Sequence, residues 1–77
     1  MSGRPVKRSL TLKGHRTSVS LEDEFWIEFR RIAAERGQPI TDLAADVDND
    51  RGVEMGLAGA IRLFVLGDLQ AQLSDQD

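Results

Sequence analysis

The sequence predicts an α+β domain in which an N-terminal β-hairpin precedes three helices. Three observations carry that expectation: polar–apolar alternation across residues 6–21, a change to helical spacing at Leu21, and glycines and a proline that divide the helical stretch into three. A chain of 77 residues with three Phe, one Trp and no Tyr makes one small domain with a limited core.

Residues 1–5 contain Gly and Pro and no apolar period, so a flexible start is expected there. Residues 6–12 and 15–21 then alternate as two strands about Lys13-Gly14, where a two-residue turn fits. Such a turn pairs residues whose numbers sum to 27, setting Leu12 opposite His15, Leu10 opposite Thr17 and Val6 opposite Leu21. Those residues share an apolar face with Val19, on which Arg8 is the single exception. The other face carries Lys7, Ser9, Thr11, Arg16, Ser18 and Ser20.

Phe25, Trp26, Phe29, Ile32 and Ala33 fall at helical spacing behind the acids Glu22, Asp23 and Glu24, predicting a first helix over 22–36. Ser20 and Asp23 stand at the spacing of a capping box, Gly37 suits the helix end, and Thr41 suits the cap of a second helix. Ile40, Leu43, Ala44 and Val47 supply the stripe of that second helix, which should end within 48–52. A third apolar stripe from Leu57 to Leu73 predicts a helix over about 54–73, weakened by Gly56, Gly59 and Gly67, and a polar tail over 74–77. The domain itself is therefore expected to span 6–73.

Charge is segregated along the chain. Residues 1–20 hold Arg4, Lys7, Arg8, Lys13 and Arg16 and no acid, whereas the remainder sets five Arg against 13 acids, a balance of −8. An anionic partner at the N-terminal end follows from that distribution better than from the net charge of −3.

Several function classes are disfavoured. With no Cys and one His there is neither a disulfide framework nor a zinc cluster, so the reducing cytoplasm is the expected compartment and a second subunit the expected support for the small core. No apolar run approaches the ~20 residues that span a bilayer, and residues 1–20 have no apolar signal core, so neither membrane association nor export is expected. Nucleophile-elbow, metalloprotease and P-loop motifs are missing, which argues for no enzymatic activity and no cofactor. Residues 46–50 imitate the opening of a calcium loop, but Arg51 stands where its Gly belongs and Leu57 where its Glu belongs, so no metal is expected and an acidic connector is the better reading. Trp26 and Phe25 are expected in the core, and His15 receives no role.

The order of elements resembles the ribbon-helix-helix family of bacterial DNA-binding proteins, the Arc, MetJ and CopG type. The matching residues are 16–21 (RTSVSL), 22–36 (EDEFWIEFRRIAAER) and 37–48 (GQPITDLAADVD). The whole chain looks like an extended bacterial branch of that family, with half of an N-terminal hairpin and a third helix added. The resemblance implies a homodimer that pairs strands antiparallel and inserts the ribbon into the major groove of double-stranded DNA. Carried over by position, Arg16, Ser18 and Ser20 face the bases, Thr17, Val19 and Leu21 face the core, and the helix N-terminus near Thr41 holds a phosphate. Lys7, Arg8 and Lys13 suit general phosphate contacts. The expected function is thus a DNA-binding transcriptional regulator; the competing class is an antitoxin-like or enzyme-binding module that meets a protein partner with its acidic helices.

Overall fold

The hairpin forms with the expected register. A computed structural model describes residues 3–75 and contains β1 (Val6–Leu12), β2 (His15–Leu21), α1 (Asp23–Glu35), α2 (Ile40–Asp50) and α3 (Leu57–Asp75). Parts of the expected flexible start, residues 1 and 2, and of the expected tail, residues 76 and 77, lie outside the described residues. β1 and β2 pair antiparallel with Leu12 opposite His15, Leu10 opposite Thr17 and Val6 opposite Leu21. Lys13 and Gly14 both have positive φ, 52° and 82°, which is the conformation of a type I′ turn and matches the twist of the flanking strands.

That register divides the hairpin by polarity. Leu10, Leu12, Val19 and Leu21 are buried, Thr17 is half-buried, and Lys7, Ser9, Thr11, Arg16, Ser18 and Ser20 are all exposed on the opposite face. The helices pack beneath the apolar face and complete a single core with Phe29, Ile32, Ala33, Leu43, Ala44, Val47, Ala60, Ile61 and Val65. Phe29 and Phe64 meet edge-on at 6.1 Å, joining α1 to α3. Phe25 and Trp26 are half-buried at the margin of this core.

Helix ends depart from expectation in three places. Ser20 remains in the strand ladder opposite Lys7, so it is unavailable as a cap; Glu22 takes that position without a side-chain cap bond, and the Ser20–Asp23 capping box does not form. The cap of α2 is Pro39, not Thr41. Its fixed φ of −59° and its carbonyl, which accepts from the N–H groups of Asp42 at 3.0 Å and Leu43 at 3.1 Å, start the helix before Thr41 is reached. α3 begins at Leu57, because a turn closed by Met55 N–H to Gly52 C=O occupies the preceding residues, and it continues through Ser74 and Asp75, where a tail was expected.

Gly37 ends α1 with φ 64°. Its N–H donates to Ala34 O at 3.1 Å and that of Gln38 to Ala33 O at 3.0 Å, the paired bonds of a Schellman motif. Residues 46–50, expected as a connector, instead form the last turns of α2. A methyl group at Gly67 would meet nothing within 4 Å, so no close helix contact within the chain accounts for that glycine.

Two predictions follow from this packing. Val19→Asp should destabilise the domain by about 3–5 kcal/mol, the cost of an unpaired buried charge, whereas Ser18→Ala and Arg16→Ala should stay within about 0.5 kcal/mol in chemical denaturation. Gly37→Ala forces a Cβ into the left-handed region and should cost about 1–2 kcal/mol in the same measurement.

Candidate nucleic-acid interface

The polar face of the hairpin gathers basic and hydroxyl side chains without an acid. Period-two alternation puts Lys7, Ser9 and Thr11 of β1 beside Ser20, Ser18 and Arg16 of β2, each pair directly opposite in the ladder. Pleated strands hold such side chains roughly perpendicular to the sheet, so all six project away from the acidic helices. The surface offers two cations and four hydroxyls as hydrogen-bond donors, a set suited to phosphate oxygens and base-edge acceptors.

Backbone groups at the hairpin edge follow from the same register. The pair flanking a two-residue turn, Leu12 and His15, is hydrogen-bonded, and bonded pairs alternate from there. The N–H and C=O groups of Arg16, Ser18 and Ser20 therefore point outward along the free edge of β2. Arg62 of α3 confirms the direction at one end, donating from Nη2 to Ser20 O at 3.3 Å.

Of the remaining sequence-predicted residues, Arg8 is placed quite differently from a free phosphate contact. It lies on the apolar side of the sheet, ion-paired with Asp23, within reach of Leu21 O and 5.2 Å from the centre of the Trp26 ring. Its guanidinium is committed to the junction between the hairpin and α1. Lys13, at the turn, donates to Asn49 Oδ1 of α2 while remaining exposed. Thr41 is the second residue of α2; its N–H and that of Ile40 precede the first helical bonds and so leave the helix end unpaired within the helix. Asp42, exposed in the same turn, sets a negative charge beside those donors.

Sequence reasoning missed the groups that anchor the hairpin to the helices. Arg62 Nε donates to Glu22 Oε1 at 2.9 Å, and its guanidinium lies 5.9 Å from the Phe25 ring centre. Arg31 bridges Glu28 and Glu35 on its own helix and Asp68 on α3, at 2.7, 2.9 and 2.8 Å. The lone Arg8 on an apolar face was the one visible signal that an acidic partner would be close. These pairs neutralise Glu22 and Asp23, the acids that follow β2 most closely in the chain.

The open groove between α2 and α3 is lined by Arg36, Asp46, Asp50, Arg51 and apolar side chains, with no hydroxyl, thiol or imidazole among its lining residues. No group of three or more His, Cys, Asp or Glu among the described residues could hold a metal ion, and no described helix is long and apolar enough to cross a membrane.

Comparison with known proteins agrees with the geometry. A family model described as a ribbon-helix-helix domain matches residues 5–69. No curated protein and no solved structure matches the chain.

The Glu22–Arg62 contact has a pH signature. A hydrogen bond from its own backbone, and then the Arg62 guanidinium, hold the Glu22 carboxyl below its ordinary value of 4.5. A depressed carboxylate contributes stability above its unfolded-state pKa and loses it as pH falls through the folded-state value. Glu22→Gln should therefore lower the melting temperature at neutral pH, and the difference from the unsubstituted protein should shrink as pH falls below 4.5.

Proposed function

The chain belongs to the ribbon-helix-helix family of DNA-binding regulators, and on that premise we propose that it binds duplex DNA as a homodimer, reading the major groove with β2 and acting as a transcriptional regulator. The observation that carries the reading is the coincidence on β2 of two properties. Arg16, Ser18 and Ser20 supply the acid-free polar face, and the same three residues turn their backbone groups toward an open edge.

A second β2 running antiparallel along that edge must pair residues of like parity, because directly opposite residues share a face. Even-numbered residues then meet even-numbered ones, and the polar side chains of both copies remain on one surface. The product is a four-stranded sheet with the two β2 strands at its centre. Strands lie about 4.8 Å apart and the major groove is about 12 Å wide, so the central pair enters while the outer β1 strands stand over the phosphate walls. Arg16, Ser18 and Ser20 meet base edges in this arrangement, with Arg16 suited to bidentate recognition of guanine. Lys7 on β1 and Lys13 at the turn meet phosphates, and the free N–H groups around Thr41 hold another. Arg8 contributes by holding the hairpin on α1, since its charge is already engaged by Asp23.

Dimerisation is tested by sedimentation at low micromolar concentration, with an expected mass of roughly 17 kDa, twice the 8.5 kDa of one chain. A concentration-independent monomer would contradict the proposed assembly.

Function is tested by recovery of genomic fragments and by salt dependence. Arg4, Lys7, Lys13 and Arg16 give eight cations per dimer; with about half of them neutralising phosphates, log K should fall with log salt at a slope of about −4. Lys7→Ala with Lys13→Ala should flatten that slope and weaken all sequences alike, whereas Arg16→Ala should also narrow the preference between sequences. Absence of duplex binding at about 50 mM salt, together with one stoichiometric protein bound to the acidic helices, would overturn DNA reading in favour of a protein-interaction module.

A further inference from the structure

α3 turns an uncharged leucine face away from the core. Leu63, Leu66 and Leu73 are 55%, 48% and 67% exposed, and with exposed Gln70 they follow one another at intervals of three, four and three residues. At 100° per residue these four positions occupy an arc of about 80°, opposite the side that buries Ala60, Ile61 and Val65. That spacing is the seam of a two-helix contact with one polar position among its leucines. Other exposed apolar side chains, Val6, Ile27, Val53 and Met55, lie on other elements.

Two features identify the occupant. Between Leu57 and Ser74 the helix carries two charged residues, and both are ion-paired: Asp68 with Arg31 of α1, and Arg62 with Glu22, the residue that caps α1. The seam is therefore neutral in a body whose balance is −8, so two copies can meet there without opposing their carboxylates. The second feature is position. α3 packs on the β2 side of the sheet, and Arg62, at the margin of the leucine face, reaches Ser20 O on the open edge of β2. Seam and edge thus form one continuous side of the molecule.

We infer that α3 is a dimerisation helix: its leucine seam docks against the same seam of a second copy, beneath the paired β2 strands. The inference rests on the homodimer proposed above and adds the surface that holds it. A two-fold axis near Gln70 sets Leu66 of each copy against Leu73 of the other and brings the two Gln70 amides together, where each can donate to and accept from its counterpart. The added helix then supplies buried apolar area that a pair of strand edges lacks, while the polar ribbon face stays free.

The full chain without DNA provides the test. Leu66→Glu with Leu73→Glu should convert the dimer to a monomer in sedimentation at low micromolar concentration, with an unchanged far-ultraviolet dichroism spectrum because both positions are exposed. Since the chain has no Cys, Gln70→Cys gives an independent measurement: copper-phenanthroline oxidation should cross-link it several-fold more completely than Glu54→Cys, which lies on the exposed loop before α3. An unsubstituted protein that is monomeric overturns this inference and the homodimer together. A dimer that survives the double substitution, with Gln70→Cys cross-linking no better than Glu54→Cys, overturns the α3 seam alone and leaves the strand pairing standing. Loss of dimer and efficient cross-linking in a protein that selects no DNA would support the seam and count against groove reading.

Discussion

The two-residue turn at Lys13 and Gly14 is the constraint on which the rest depends. Because side chains alternate with period two, the pairing it sets decides for every hairpin residue which face it occupies. A slip of one residue would place Lys7, Arg16 and three serines against the helices and Leu10, Leu12, Val19 and Leu21 in water. The apolar face closes the core over α1, α2 and α3, and the outward face collects the basic and hydroxyl side chains. The same register directs backbone groups, so core, polar surface and open edge have one geometric origin.

Arginine joins the two halves of a chain whose charge is strongly segregated. Arg8 links the sheet to the start of α1, Arg62 links α3 to Glu22 and the end of β2, and Arg31 links α1 to Asp68. Partly exposed pairs of this kind contribute roughly 0–1 kcal/mol each to stability. Their larger consequence is placement. Glu22 and Asp23 would otherwise stand unpaired beside a basic ribbon, and the guanidiniums compensate both while packing over Phe25 and Trp26.

The third helix changes what the domain can do with a small core. It buries Ala60, Ile61 and Val65 against the helices, receives Phe29 on Phe64, and reaches the last outward-facing residue of β2, Ser20, through Arg62. One helix thus acts on the core and on the end of β2. Gly67 is exposed and a methyl group there would have open space, so packing within the chain does not demand a glycine at that position.

Much of this was determined by the sequence alone, for a local reason. Alternation in residues 6–21 and the Lys-Gly turn specify strand pairing within a short hairpin, and the apolar stripes of the helices specify their inner faces, because both signals act between residues close along the chain. The family resemblance rested on that order of elements, and the match over residues 5–69 agrees with it. Helix ends were less readable, since Pro39 competes with Thr41 for the same cap and strand pairing withdraws Ser20 from another. Tertiary structure alone decided the fate of the charges. Arg8 looked like one more member of a basic arm until folding brought Asp23 and Trp26 to it, and Arg62 gained its place only when α3 returned to the end of β2, across 42 residues of chain. Such partners are chosen by distance in the folded molecule, which no local pattern encodes.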